Sequence, residues 1–181
     1  ADAAAITFRP VTEADLPMLG RWMALPHWRQ WWGEPETELG YVRDMIAGRD
    51  STRPFLFCLD GVPAGYIQYW FIADHQCEPL VTDEPWVADL PREAIGVDIS
   101  IGEPDGLGKG LGSAVLATFV RTLRDEGFCD IIIDPHPDNA RAVRAYEKAG
   151  FTPIPEMAGK YDGVLLMRYM PDPQPMETGE T

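Results

Sequence analysis

A glycine stands at every second position of Gly106-Leu107-Gly108-Lys109-Gly110-Leu111-Gly112, and an apolar helical pattern begins directly behind it. Four positions without a Cβ allow the backbone to reach positive φ and to turn its N–H groups toward a ligand. A helix that follows adds unpaired N–H groups and a partial positive charge at its N-terminus, a combination suited to pyrophosphate. The spacing excludes two commoner glycine signatures. A dinucleotide fingerprint needs glycine where Leu111 or Ser113 stands, and a nucleotide P-loop needs Ser or Thr where Gly110 stands. A flexible linker is the other alternative. Against it, Leu111, Val115, Leu116, Phe119, Val120 and Leu123 form an apolar face at helical spacing, which a linker does not need.

The chain has 181 residues, 45% of them hydrophobic, enough for one sizeable core. We expect one domain over residues 1–170, followed by a Pro-rich, polar and disordered tail over residues 171–181. Cys58, Cys77 and Cys129 are odd in number and unrelated in spacing, so neither a disulfide framework nor a zinc cluster is implied. His27, His75 and His136 also lack metal-ligand spacing, and no metal is expected. No apolar run reaches the ~18 to 20 residues of a membrane span, and Ala1 to Ala5 do not start a signal peptide. A cytoplasmic protein with no membrane partner, either a monomer or a homodimer, is the expectation.

The formal net charge of −14 argues against nucleic acid as a partner, because affinity for phosphate backbones comes mainly from Lys and Arg. It points to cationic partners. Half of the excess acid lies between Ala73 and Glu103, where Arg92 is the single basic residue. That stretch reads either as a solvated acidic loop or as a negative rim that attracts polyamines and aminated sugars.

In chain order, Ile6-Thr7-Phe8-Arg9 reads as a strand, and Thr12 to Asp15 as a capping box opening a helix through Leu16, Leu19 and Met23. Pro26 to Gly33 carries three tryptophans, Trp28, Trp31 and Trp32, which serve either as a packing corner or as the wall of an apolar-faced pocket. A helix through Leu39, Val42, Met45 and Ile46 stops at Gly48. Phe55 to Leu59 and Ala64 to Ile72 flank Asp60-Gly61 as an antiparallel hairpin. Asp74 to Pro91, with Trp86 in its middle, reads as a long loop, and loops of this length are often functional.

Ile95, Val97, Ile99 and Ile101 alternate with Gly96, Asp98, Ser100 and Gly102 in the period of a half-buried strand that feeds the glycine run. After the helix from Gly112 to Glu126 come a strand from Cys129 to Asp134 and a helix from Asn139 to Ala149. Asp138 is its expected N-cap and Gly150 its end, and Val164 to Met170 form a last strand.

Gly96-Val97-Asp98-Ile99-Ser100-Ile101-Gly102, the glycine run, Asp134-Pro135 and Asn139 through Tyr146-Glu147-Lys148-Ala149-Gly150-Phe151 together resemble the GNAT superfamily of acyl-CoA-dependent N-acetyltransferases. The resemblance covers roughly Ile6 to Met170 and is strongest toward the aminoglycoside 6′-N-acetyltransferases. Siderophore-pathway lysine acyltransferases share much of the pattern but usually carry histidine where Asp98 stands. The family motif places Gln or Arg at the position of Leu107, so here pyrophosphate binding shifts onto the backbone amides from Lys109 to Ser113.

The resemblance implies an α+β fold, GNAT-like, with a mixed, mostly antiparallel central sheet flanked by helices on both faces. It implies acetyl-CoA as co-substrate and a cationic small-molecule amine as acceptor. An acyltransferase for lysine or protein N-termini, or a non-catalytic acyl-CoA-binding domain, are the alternatives. The cofactor side comprises Ile99, Ser100, Ile101, the run from Gly106, Leu107, Gly108, Lys109, Gly110, Leu111 and Gly112 to Ser113, and Asn139, Ala142 and Tyr146. The amine side comprises Trp32, Trp86, Asp98, Asp134 and Asp162, the alternative for Asp134 and Asp162 being to cap a turn, as Asp162-Gly163 reads.

Acetyl transfer to an amine needs a neutral nitrogen, donors for the developing oxyanion, and a proton for the leaving thiolate. Asp98, on the polar face of its strand, is the candidate to hold the ammonium and accept its proton, unless it is a solvent-facing or structural acid. An amine of pKa ~9 to 10 costs about 3 to 4 kcal/mol to deprotonate at pH 7, so positioning carries much of this role. Tyr146 is the candidate general acid, a core tyrosine being the alternative. Backbone N–H groups near Ile99 are placed to polarise the thioester carbonyl.

Overall fold

The computed structural model describes residues 4–171. The tail expected to be disordered falls, from residue 172 on, outside that range, as do residues 1–3. Seven strands form one sheet. They are β1 (Ile6–Pro10), β2 (Arg53–Leu59), β3 (Val62–Phe71), β4 (Ile95–Ile101), β5 (Ile131–Ile133), β6 (Phe151–Pro153) and β7 (Met167–Tyr169). Their order is β1-β2-β3-β4-β5-β7-β6, and every pairing is antiparallel except that of β4 with β5. The expected mixed, mostly antiparallel sheet is therefore present.

Helices cover both faces. On one side α1 (Leu16–Met23), α2 (Pro26–Arg29) and α3 (Pro35–Ile46) bury Leu19, Trp22, Trp28, Leu39 and Val42 against Leu56 and Tyr66. Trp28 is fully buried as a packing corner, whereas Trp31 and Trp32 remain accessible. Thr12 N–H donates to Asp15 at 2.9 Å, closing the expected capping turn ahead of α1. On the other side α5 (Leu111–Asp125) packs Val115, Leu116, Phe119, Val120 and Leu123 against Phe57, Ile67, Ile95, Val97 and Ile131. Each such side chain contributes roughly 1.5 to 3 kcal/mol on burial. The sixth helix, α6 (Ala140–Ala149), lies beside α5 on that face.

Three expectations need correction. The loop from Asp74 to Pro91 is not structureless. It contains 3-10 turns at Ile72–His75 and Pro85–Asp89 and a short helix, α4 (Leu80–Asp83). Trp86, Val87 and Leu90 bury against Trp70, Ile132 and Leu166, and that burial, which periodicity does not reveal, holds the segment to the sheet. The cap of α6 is Asn139, whose Oδ1 accepts from Ala142 N–H at 3.3 Å, while Asp138 stays exposed. Finally, the strand after α6 is β6, three residues long and outside the expected set, and β7 is shorter than Val164 to Met170.

The parallel β4–β5 pair shapes the site. It is in register only at Ile95 with Ile131 and Gly96 with Ile132, and then the strands part. The N–H of Ile95 donates to Asp130 on the β5 side, and that of Gly102 donates to Ala64 on the β3 side. Backbone direction alternates along a strand, so the N–H of Ile99 points into the opening.

Gly65 on β3 allows close approach where β3 and β4 cross the Phe57 side chain. A Cβ there would lie 2.1 Å from the Phe57 ring and 2.6 Å from the carbonyl oxygen of Ser100. Gly65→Ala is expected to destabilise the fold by about 1 to 3 kcal/mol, read as a lowered midpoint in urea unfolding.

Candidate active site

The opening between β4 and β5 leads into a cleft of about 930 Å³. Its lining carries both charges. Asp98, Asp134, Glu38 and Glu84 lie near enough to feel one another's charge, Asp50 and Asp83 also line the cleft, and Lys148 stands by Gly110 on the α6 face that carries Arg141 and Arg144. The three bases recur on α6 at spacings of three and four, which puts them on one helical face.

The glycine run takes the form a cradle requires. Gly108 and Gly110 both have φ of +74°, and Gly110 is the left-handed N-cap of α5. A Cβ at Gly108 would meet nothing within 4 Å, and one at Gly110 would approach Lys148 Nζ at 3.8 Å. Ala114 N–H returns to Gly110 O, whereas Leu111, Gly112 and Ser113 sit in the first turn and have no intrahelical acceptor. Their N–H groups, the helix dipole and Lys148 converge where a pyrophosphate would sit. Leu107 lines the cleft, so backbone and α6 supply what its apolar side chain lacks.

Asp98 stands on β4 directly opposite Gln68 of β3. Gln68 Nε2–H donates to Asp98 Oδ2 at 2.9 Å, and Tyr66 O–H donates to Gln68 Oε1 at 2.5 Å. The Trp70 indole covers Gly96, where a Cβ would come within 2.2 Å of it. Asp134, just past the end of β5, faces Asp98. Burial raises the affinity of both carboxyls for a proton. In Asp98 hydrogen bonding from Gln68 opposes that rise, and in Asp134 the charge of Asp98 adds to it, carrying Asp134 well above the ordinary range. Tyr146, reaching in from α6, is held in its protonated form by burial and then by the charges of Asp98 and Asp134. The two residues singled out for proton transfer thus share one site, although they come from opposite sides of the sheet.

Not every residue expected at the site is there. Ile99, Ser100, Ile101, Asn139, Ala142, Trp32 and Asp134 line the cleft. Trp86 does not, because its ring packs at 6.1 Å against Trp70 in the apolar cluster beneath the β3–β4 connection. Asp162 is an exposed turn residue outside the cleft lining. Glu38 was not among the expected residues. It lines the cleft from α3, where burial and then the charge of Asp98 push its pKa up to about 7. Gln68 and the cationic face of α6 also escaped notice, although a polar residue alternating with Tyr66 and Trp70 in a strand is a legible anomaly. Among the described residues no group of His, Cys, Asp and Glu is arranged to hold a metal ion, and no helix is long and apolar enough to cross a membrane.

A mixed sheet parted at one parallel pair, a glycine-lined helix N-terminus on one side and two half-buried carboxyls with a tyrosine on the other fit an acyl-CoA-dependent acyltransferase. Residues 11–158 match the acetyltransferase (GNAT) domain model, and the chain belongs to that family. It is an acetyltransferase that uses acetyl-CoA. Aminoglycoside N(6′)-acetyltransferase type 1 of Klebsiella pneumoniae is 33% identical over 153 residues, covering 81% of this chain and 73% of that protein. A kanamycin resistance protein of Rhizobium radiobacter is 40% identical over 67 residues, covering 36% and 62%. Among solved structures, AAC(6′)-Ib with ribostamycin and coenzyme A superposes with a TM-score of 0.72 at 30% identity, covering 91% of this chain and 92% of that one. Its complex with coenzyme A and kanamycin gives 0.71 at 29%, covering 91% and 94%.

Two outcomes are expected. Gly110→Ala strains the left-handed cap by about 1 to 2 kcal/mol and should weaken coenzyme A binding roughly tenfold in calorimetric titration. Glu38 ionises with difficulty when folded and readily when unfolded, so its destabilising effect grows as pH rises from 4.5 toward 7. Glu38→Gln should therefore raise the melting temperature at pH 8 and leave it nearly unchanged at pH 4. After allowance for solvent screening at a half-exposed site the gain is about 1 kcal/mol, or ~2 to 4 °C.

Proposed function

We propose that the protein transfers the acetyl group of acetyl-CoA directly to a primary amine of a cationic small molecule, an aminated sugar of the aminoglycoside kind. The observation that carries this reading is one cleft lined both by the glycine loop with the cationic face of α6 and by neighbouring carboxyls, Asp98 and Asp134 among them, together with Tyr146. A polyamine gains from each carboxylate it meets, and the relatives named above act on aminoglycosides. The pairing of Asp98 with Tyr146 favours catalysis over mere acyl-CoA binding.

In this reading the Asp98 carboxylate holds the substrate ammonium and accepts its first proton. Burial makes Asp98 a stronger base than a free aspartate, which narrows the proton-affinity gap to the amine. The neutral nitrogen attacks the thioester carbonyl carbon, a C–N bond forms and the C–S bond breaks. Ile99 N–H, turned into the strand opening, donates to the carbonyl oxygen as it gains charge. Tyr146 gives its proton to the departing sulfur and regains one from the acylated nitrogen. The ammonium has then lost two protons, one now on coenzyme A and one passed through the carboxyl pair to solvent.

Thiol release from acetyl-CoA, measured with aminoglycosides, polyamines and lysine derivatives, tests the substrate class. Aminoglycosides are expected to be the best acceptors, and binding of acetyl-CoA with no release from any amine would overturn the reading. Asp98→Ala should lower kcat by about 1,000-fold and Tyr146→Phe by about 100-fold. The required base must be ionised, and its affinity for protons is raised, so kcat/KM should fall with acid at a pH above the ordinary aspartate range. Unchanged rates in both variants would remove these residues from the mechanism.

A further inference from the structure

Two carboxyls that face each other in a poorly hydrated site do not both ionise, and they titrate as a pair that holds one proton over a wide pH range. Which of Asp98 and Asp134 carries that proton decides which one is the base. The groups facing Asp98 are Gln68, Trp70 and Tyr66 from β3, Asp134 beyond β5, Glu38 from α3, His75 and Glu84 from the β3–β4 connection, and Tyr146 from α6. Gln68 and Trp70 are the neutral donors toward it, and Gln68 is the one held from behind by a second hydrogen bond.

That second bond sets the orientation of the amide. A carboxylate only accepts, so Asp98 Oδ2 takes the Gln68 N–H, and the amide oxygen is left facing Tyr66, whose O–H donates to it. Tyr66 is fully buried and packs by its ring edge-on to Trp32 at 5.9 Å and tilted to Trp28 at 6.2 Å, so the hydroxyl has a fixed position. A flipped amide would present its oxygen to Asp98 and suit only a protonated carboxyl. Among the described residues Asp134 has no comparable side-chain donor.

We propose that Gln68, held by Tyr66, is a positioning residue that keeps Asp98 rather than Asp134 as the ionised member of the pair and so assigns it the base role. The inference rests on the acetyl-transfer reading for its consequence, but the charge assignment is independent of it. With Oδ2 held by Gln68, Oδ1 is left for the ammonium and for the proton of Asp134. A hydrogen bond to an ionised carboxyl is worth about one to two pH units.

Two variants test this. Gln68→Met keeps the length of the side chain and removes the donor, while Tyr66→Phe keeps the ring and frees the amide to turn. Carboxyl carbon NMR of aspartate-labelled protein, assigned with Asp98→Asn and Asp134→Asn, reads both protonation states without any substrate. In the wild type Asp98 is expected to ionise at the lower pH. In Gln68→Met its midpoint should rise by at least one unit, with a smaller rise in Tyr66→Phe, and the acid limb of kcat/KM should move by the same amounts while KM for acetyl-CoA holds. Asp134 ionising first in the wild type, or rates falling in folded variants with both titrations unmoved, overturns the proposal. If Gln68→Met melts below the assay temperature, Tyr66→Phe decides by the same criteria. A wild type that acetylates no amine yet shows the stated titrations would overturn the acetyl-transfer reading and leave the charge assignment standing.

Discussion

The parting of β4 from β5 is the constraint on which the other features of the site depend. Two residue pairs hold the parallel strands together at Ile95 and Gly96, and beyond them the Ile99 backbone has no strand partner on that side. A backbone amide left in this way inside a protein is costly unless a ligand or water meets it. Here it faces a cleft, and the gap is also the passage by which Tyr146, on one side of the sheet, comes near Asp98, which faces the other. A fully paired sheet would keep these groups apart, and no adjustment of side chains would restore their contact. Apolar faces are buried on either side of the sheet, against α5 on one and against α1 to α3 on the other.

Charge is distributed in keeping with that geometry. The chain carries a net charge of −14, yet Arg141, Arg144 and Lys148 share one face of α6 and line the cleft along with the glycine loop. The carboxylates gather across the cleft, where burial first, and then one another's charge, raises the proton affinity of Glu38 and Asp134 and keeps Tyr146 protonated. Such an arrangement is unfavourable in isolation. A cation bound among such carboxyls relieves that cost.

Much of this was legible from residue order. The glycine run, the alternation around Asp98 and the helical apolar faces identified the cradle, the strand and the covering helices, since each depends on chemistry local to a few residues. Local reasoning failed where a longer contact decided. Trp86 sits in an acidic, proline-rich stretch and was expected on the amine side, but Trp70 and Ile132 supplied an apolar surface that buries it. Asp162 matched a turn and remained one. Asp138 looked like the cap of α6, and Asn139 took that place because its own side chain reaches Ala142 N–H. Glu38 was invisible because nothing in α3 announces that one of its turns faces Asp98 across a cleft.

The sequence by itself determined the cofactor half, for a pyrophosphate cradle is built from backbone freedom at glycines and the start of one helix, both properties of contiguous residues. The family pattern likewise follows from contiguous motifs. Tertiary structure alone decided the amine half. Gln68, Asp98, Asp134, Glu38 and Tyr146 come from β3, β4, the end of β5, α3 and α6, and the proton affinities of the four that titrate arise from exclusion of water and mutual distance. Those two quantities exist only after the sheet has assembled and parted, so no reading of residue types in order contains them.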